Sequence, residues 1–305
     1  MIKGLATLMT ATVLLPAQLL DYDIRPSSLH SEEFMKIKIL DAKEVSFARG
    51  SNISELSALA FSKKRLYALS DNGELYHYNL ELQKNKIKTL ELQERFILKN
   101  KKGKRLKKKK RDSEGLALVD NTLYISFEKK SRVDQYSLEG IKLQKVKIHK
   151  RLRDYDNYQK GNKGLEAVVY SKKYEVITAP EIPLKGESKT LHTLYAKKDT
   201  WKFKASGSLT AMAFMDEDKL LILERDFRKL TLSWVITLSS VDLVKSDAKG
   251  LSKQKTLAIL DGSDGWRVDN FEGLTKVSKN RFLMVSDDND NFFQKTLLVL
   301  FEVLD

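Results

Sequence analysis

The sequence predicts an all-β protein with a β-propeller fold, on three observations: an internal repeat, strand-like runs within each repeat, and a regular spacing. Five repeats open at positions 57, 114, 166, 210 and 272, about 54 residues apart on average. Their runs are short, rich in Val, Ile, Leu, Tyr and Phe, and bounded by turn residues, as β-strands are. Four-stranded units at this spacing are typical of propeller blades. The count favours five blades over six, which would require a degenerate blade hidden in a connection, and over two unrelated β-domains.

Each repeat begins with two runs that predict a β-hairpin. The first run opens with Glu, Ser or Thr followed by small and apolar residues, and the second run ends in an acid. The opening residues are Ser57, Glu114, Glu166, Thr210 and Glu272, and the closing acids are Asp71, Glu128, Glu181, Glu224 and Asp287. The offset within each pair is 14 or 15 residues, so equivalent positions are expected in every blade.

The fifth repeat contains only three strand-like runs before the sequence ends. The run at residues 33–45, near the N-terminus, supplies the missing strand. We therefore expect the last blade to be completed by an N-terminal strand, within a single propeller domain spanning residues 21–305.

Residues 1–20 resemble a Sec-type signal peptide, with Lys3, an apolar run from Leu5 to Leu15, and a cleavage point near Ala17 or Leu20. The alternative is an uncleaved N-terminal helix or strand. The run is short for a transmembrane helix, and no other segment approaches that length. We expect the mature protein to be a monomer that is secreted or located in the bacterial periplasm. We expect no transmembrane segment in the mature chain. The absence of Cys excludes disulfides, thiolate metal sites and Cys nucleophiles.

The repeat predicts a ring of acids at one mouth of the central channel. The first strand of a blade lines the channel and the second runs antiparallel to it, so starts of first strands and ends of second strands share one face. The predicted ring carboxylates are Glu114, Glu166, Glu272, Asp71, Glu128, Glu181, Glu224 and Asp287, with the amides Asn162 and Asn270 beside them. Clustered carboxylates repel one another and recruit cations, and oxygen ligands without His or Cys suit Ca²⁺. The alternative is structural, with the acids capping turns and accepting backbone hydrogen bonds.

A basic insert at residues 99–111 accounts for most of the net charge of +14, because it holds ten Lys or Arg in thirteen residues. It connects two blades on the acidic face, and Lys107, Lys108, Lys109, Lys110 and Arg111 are its candidate anion-binding residues. The alternative is a solvated loop. The insert lacks interleaved aromatic residues and no other basic groove is evident, which disfavours nucleic acid.

Several enzyme classes are disfavoured by missing motifs. The chain has no G-x-S-x-G, Walker A or dinucleotide-binding motif, and its four His lack zinc-site spacing.

The ordered motifs resemble the phytase-like family, also called the "esterase-like activity of phytase" family. They are ELSALA with LYALSD, DSEGLA with YISFE, NKGLEA, LLILER, and NFEGLT with LMVSDDN, across about residues 50–300. The resemblance implies an exported bacterial β-propeller that hydrolyses phosphoesters or esters. It marks the following as family-typical polar positions: Asp112, Glu114, Asn162, Lys163, Glu166, Glu224, Arg225, Asn270, Glu272, Asp287 and Asn289. The chain departs from the family at Ser57-Ala58, where Ser-Gly is usual, and in its basic insert.

Two functions stay open from the sequence. The first is a metal-dependent phosphoester or ester hydrolase, with Glu114 or Glu272 as general base and Lys163 and Arg225 holding the anion. The second is a non-catalytic propeller that binds an anionic small molecule, an envelope component or a protein. A lactonase-like metal propeller is a third reading.

Overall fold

The computed structural model describes residues 17–47, 53–159 and 163–304, which form five antiparallel sheets arranged as a five-bladed β-propeller. Helical structure in these ranges is limited to short 3-10 turns. The predicted fold class and blade count are confirmed.

Three strands precede the first repeat: β1 (Gln18–Asp21), β2 (Glu33–Phe34) and β3 (Ile37–Ser46). Blade one contains β4 (Leu56–Ser62), β5 (Arg65–Ser70), β6 (Glu74–Gln83) and β7 (Lys86–Ile97). Blade two contains β8 (Ser113–Val119), β9 (Thr122–Phe127), β10 (Arg132–Tyr136) and β11 (Lys142–Lys145). Blade three contains β12 (Leu165–Ser171), β13 (Glu175–Pro180), β14 (Leu191–Tyr195) and β15 (Thr200–Lys204). Blade four contains β16 (Ser208–Asp216), β17 (Lys219–Arg228), β18 (Ser233–Ser246) and β19 (Ser252–Asp261). Blade five contains β20 (Phe271–Lys276), β21 (Arg281–Ser286) and β22 (Leu297–Val303), followed by β3.

Blade five is closed by the N-terminal strand, as predicted. β3 pairs antiparallel with β22, with Ile39 opposite Phe301, and β1 adds a further strand on the outer edge of β3. The predicted leader, residues 1–20, lies largely outside the described residues, apart from Ala17 and the first part of β1.

Apolar side chains fill the spaces between neighbouring blades. The cluster between blades four and five is the largest, and Phe271, Phe282 and Phe301 within it are fully buried. Burial of aromatic side chains of this size contributes strongly to stability and compensates for the lack of disulfides. Among the described residues, no helix has the length and apolar character needed to cross a membrane.

The first strands of the five blades surround a narrow central channel. Each neighbours the next around the ring, and small residues (Ala58, Gly115, Ala167, Ala211, Gly273) follow the five opening residues. A Cβ at Gly115 would lie 2.4 Å from Ser126 Oγ and 2.5 Å from the Glu166 carbonyl oxygen of the next blade. The channel encloses only about 10 Å³, the space of about one water. A ligand can therefore meet the protein at the mouth and not inside the channel.

Candidate functional site

The opening residue of every repeat is the extra residue of a β-bulge. The pairing of the first and second strands shifts by one residue at the same place in all five blades. The residues at the shift are Ser57, Glu114, Glu166, Thr210 and Glu272. A bulge re-aims a side chain that regular alternation would direct elsewhere. This local distortion re-aims the side chains of Glu114, Glu166 and Glu272, whereas the hydroxyls of Ser57 and Thr210 donate to backbone carbonyls of the next blade at 2.8 and 3.1 Å. No pattern in the sequence marks the bulge.

The closing acids are held by one hydrogen bond that recurs in four blades. The backbone N–H of Asp71 donates to the carbonyl of Glu55 at 3.2 Å, two residues before the bulge residue. Glu128 donates in the same way to Asp112 (3.0 Å), Glu181 to Gly164 (3.2 Å) and Asp287 to Asn270 (2.9 Å). Closing acids and opening residues thus lie at one face, as predicted.

Blade four departs from the predicted register by one residue. Leu209 pairs with Glu224 where Leu56 of blade one pairs with Ser70, so the position equivalent to Asp71 is Arg225. The cause is a second irregularity in β16, between Phe214 and Asp216, which sequence offsets do not reveal.

Glu224, predicted as a ring ligand, has other contacts in the structure. It is fully buried, and its Oε1 accepts hydrogen bonds from the backbone N–H groups of Ser206 (2.7 Å) and Gly207 (3.2 Å) and lies 3.3 Å from His192 Nε2. The ring position assigned to this acid is therefore occupied by a guanidinium.

Two groups of carboxylates converge at the mouth and share one member. Asp112, Glu114 and Glu128 form the first group, and Glu128, Glu166 and Glu181 form the second. In each group the oxygen atoms lie within 4.8 Å of one another. Glu128, Glu166 and Glu181 are buried, whereas Asp112 and Glu114 keep some exposure. Asp112 was expected only as a family-typical polar position, and the structure places it beside the predicted ligands.

Burial, with repulsion from neighbouring acids, raises the pKa values of six ring carboxyls: Asp71, Glu114, Glu128, Glu166, Glu272 and Asp287. The pKa of Asp71 is raised to about 7, that of Glu128 to about 8 and that of Asp287 to about 9. Burial also raises the pKa values of Glu114 and Glu166 well above the ordinary range. Carboxyls in this condition retain protons near neutral pH unless a cation compensates their charge.

Three basic side chains contact the ring acids. Arg225 lies 2.7 Å from Glu272 and 3.8 Å from Glu181, and Lys163 lies 2.5 Å from Glu181. The predicted anion-holding residues are therefore at the site. Lys129, which sequence reasoning missed, lies 2.9 Å from Asp112. In the sequence, only the position of Lys129 directly after the closing acid Glu128 points to a place at the mouth.

Asn270, a predicted ligand, is buried at the mouth, and only one of the two polar atoms of its side-chain amide is hydrogen-bonded among the described residues. Its Nδ2 donates to Glu272 Oε1 at 3.0 Å, while its Oδ1 has no hydrogen-bond partner among the described residues. Burial raises the pKa of Glu272, although Arg225 and Asn270 act in the opposite direction. The other predicted amide, Asn162, lies outside the described residues.

The basic insert leads into β8 at the mouth face and is anchored to blade two. Lys99 donates its N–H to the Gly140 carbonyl at 2.8 Å and accepts from the N–H of Lys142 at 2.9 Å. Lys107 to Lys110 are exposed, while Arg111 is half-buried. Beside the insert is an open cavity of about 640 Å³, whose lining includes Lys109, Lys129, Lys130 and Arg153.

The chain is similar to several solved structures at low sequence identity. No curated protein sequence matches the chain significantly. Among solved structures, the chain is similar to the glutaminyl cyclase of Myxococcus xanthus, with a TM-score of 0.47, 11% identity, and coverage of 88% of this chain and 97% of that one. It is also similar to a chain of the mitotic checkpoint complex, with a TM-score of 0.39, 11% identity, and coverage of 87% and 72%. A computationally designed protein, Ika4, matches with a TM-score of 0.31, 12% identity, and coverage of 69% and 96%.

The family comparison covers most of the propeller. The family model for phytase-like proteins, described as "Esterase-like activity of phytase", matches residues 51–290. This range contains the five bulged opening residues and the five residues that occupy the closing positions. The chain therefore belongs to the phytase-like family.

Proposed function

We propose that this chain is a metal-dependent hydrolase that cleaves phosphoesters or esters of anionic substrates at the acidic mouth. The observation that carries the proposal is the pair of carboxylate groups that share Glu128, with oxygens within 4.8 Å of one another. Such an arrangement of buried acids is electrostatically costly without positive charge.

The residues at the mouth fit a hard cation such as Ca²⁺. All candidate ligands offer oxygen, and the buried Oδ1 of Asn270 has no hydrogen-bond partner among the described residues. Either group, Asp112 with Glu114 and Glu128 or Glu128 with Glu166 and Glu181, would hold a cation. When bound, it would neutralise the acids, polarise the substrate oxygen and lower the pKa of a bound water.

Glu114 is the better candidate for the general base. It keeps some exposure and has no ion-pair partner among the described residues, and burial raises its pKa well above the ordinary range. Glu272 is held by Arg225 at 2.7 Å and Asn270 at 3.0 Å, which restrict its orientation and favour a positioning role.

We assign Lys163 and Arg225 the role of holding the anionic part of a substrate. Each already contacts a ring acid, and the side chain of Lys163 is 29% exposed, so its ammonium group can reach a ligand at the mouth. The closed channel limits the reaction to groups presented at this surface. We extend the proposal to an exported, periplasmic or secreted protein, based on the leader-like N-terminus.

The test is hydrolysis of p-nitrophenyl phosphate and p-nitrophenyl acetate by the purified chain, with Ca²⁺ or after chelation. We expect activity that requires Ca²⁺, and at least about tenfold weaker Ca²⁺ affinity in Glu128→Gln because both carboxylate groups lose a ligand. Glu114→Gln should lose turnover and weaken Ca²⁺ binding less than Glu128→Gln does, because Glu114 belongs to only one of the two carboxylate groups. Asp218→Asn is the matched control, because Asp218 pairs with Lys173 at the opposite face. Inactivity towards both substrates with Ca²⁺, Mg²⁺, Mn²⁺ and Zn²⁺ would count against the proposal.

The alternative function is binding without catalysis, with the basic insert as the binding element. Exposure of Lys107 to Lys110 favours it. Deleting residues 99–111 would also remove the contacts of Lys99 with blade two, so replacing these four lysines with Gln is the cleaner test. Loss of binding to an anionic polymer such as heparin, with hydrolysis absent throughout, would support this alternative.

A further inference from the structure

We infer that the mouth face docks onto an anionic phospholipid bilayer, with two apolar loop tips inserted and the basic insert against the headgroups. This goes beyond the proposed function, because it assigns a partner to the surface around the mouth. Three features carry it: an apolar hairpin tip, an exposed pair of phenylalanines, and the exposed lysines of the insert.

The first feature is the hairpin between β17 and β18. The pairing of these strands continues past the ring position of Arg225 to Arg228 opposite Ser233, so the hairpin projects beyond the mouth. At its tip Leu230 is 102% exposed and Leu232 is 77% exposed. Leu232 has a φ of 49°, a left-handed conformation that Gly or Asn adopts at lower cost. Turn geometry alone therefore does not account for leucine at this position.

The second feature lies in the connection between β21 and β22, which begins at the ring acid Asp287. Phe292 is 95% exposed and Phe293 is 89% exposed. Their rings contact each other edge to face, with centroids 5.8 Å apart, and are otherwise open to solvent. Both side chains rise from the same face as the hairpin, in the neighbouring blade.

The third feature is the basic insert, which lies at the same face as the two tips. The insert, with ten Lys or Arg in thirteen residues, enters β8 at this same face, and Lys107 to Lys110 point into solvent. Lys229 is exposed beside Leu230. Acids also lie at this face: Asp226 in the hairpin and Asp290 on the phenylalanine loop are exposed, and the ring acids lie at the mouth itself. The attraction to an anionic surface therefore comes from the insert, with its ten Lys or Arg, and not from the mouth as a whole.

This combination fits a bilayer better than a protein partner. Four large apolar side chains stand on two separate projecting tips, whereas protein interfaces place apolar groups in a packed central patch with few Lys. Apolar groups with flanking Lys and Arg are typical of proteins that insert shallowly into anionic membranes. The lysine stems can lie along the acyl boundary while their ammonium groups stay with the headgroups.

The experiment is co-sedimentation of the full chain with vesicles of phosphatidylglycerol and phosphatidylcholine in equal parts, or of phosphatidylcholine alone. The first variant is Leu230→Ser with Leu232→Ser, the second Phe292→Ser with Phe293→Ser, and the third Gln at Lys107 to Lys110. The control is Met35→Ser with Val244→Ser, because these exposed apolar residues lie at the opposite face. Circular dichroism checks that each variant folds.

We expect binding to the anionic vesicles that weakens with salt. Each apolar double variant should lose at least about tenfold in affinity, because burial of each side chain in the acyl boundary is lost. The lysine variant should lose about a hundredfold or more, since each lysine near an anionic surface contributes about fivefold. The control should bind like the unaltered chain.

Two results would overturn the inference: no binding of the unaltered chain to anionic vesicles, or equal losses in the control and the loop variants. Self-association that the loop variants abolish, without vesicle binding, would assign the face to a second copy instead. Because the readout is sedimentation and not hydrolysis, docking and the proposed function can fail separately.

Discussion

From the raised pKa values of the ring carboxyls, we predict that the free energy of unfolding falls as pH rises from neutral to mildly alkaline in the absence of Ca²⁺. Asp71, Glu128 and Asp287 have pKa values raised to about 7, 8 and 9. Each carboxyl binds its proton more tightly in the folded than in the unfolded chain, where it titrates near 4. The folded state thus holds more protons within this window, and the free energy of unfolding falls with pH until each folded pKa is passed.

The slope of that fall follows from the number of protons retained. Each contributes up to about 1.4 kcal/mol per pH unit. Between about pH 7 and 8, Glu128 and Asp287 together contribute up to about 3 kcal/mol. Between about pH 8 and 9 Asp287 contributes most of the three, with about 1 kcal/mol. Glu114, Glu166 and Glu272 add in the same direction.

Urea unfolding of the chelated protein at a series of pH values measures this slope. Asp287→Asn removes one titrating group and keeps an oxygen that can accept the Asn289 N–H, so its slope should be shallower by about 1.4 kcal/mol per pH unit. Asp218→Asn should leave the slope unchanged, because contacts with Lys173 and Tyr174 hold the pKa of Asp218 below its usual value. Ca²⁺ should flatten the slope by replacing protons. A free energy that stays level or rises over this range, or an unchanged slope in Asp287→Asn, would refute the reasoning.

Three further predictions concern single positions. Gly115→Ala should destabilise the fold by about 1–3 kcal/mol in thermal unfolding, because the added Cβ would lie 2.5 Å from the Glu166 carbonyl oxygen. An unchanged stability would show that the ring of first strands can expand. Arg225→Gln should cost about 3–5 kcal/mol in urea unfolding by leaving Glu272 without its cation, and an unaltered midpoint would contradict that pairing. Glu224→Gln should leave Ca²⁺ affinity in calorimetry unchanged, since its Oε1 is bonded to backbone amides, and a tenfold loss would return Glu224 to the ring.

The architecture could be predicted from the sequence because its determinants are local and repeated. Alternation of apolar residues, polar turns and the near-constant offset from opening residue to closing acid indicated the hairpins, and the spacing indicated the blades. The strand at residues 33–45 was identifiable because the fifth repeat lacked one.

Details that depend on strand register were beyond the sequence. Offsets of 14 and 15 residues hide whether the extra residue lies in the turn or in a bulge, so Glu224 was predicted at the ring position that Arg225 occupies. Lys129 and Asp112 form an ion pair across a strand end, and their spacing in the sequence does not indicate this contact. The exposure of Leu230 and Phe292 depends on how far each connection projects, which apolar composition does not encode.

The pairing of β3 with β22 has a consequence for how the chain folds. Ile39 and Phe301 are about 260 residues apart in sequence, so their pairing brings together two strands from nearly opposite ends of the chain. Contacts between residues so distant in sequence slow folding, and until they form β3 presents an unpaired edge that invites aggregation. We therefore expect closure of blade five to limit the folding rate, and the nascent chain to depend most on chaperones before β22 is made.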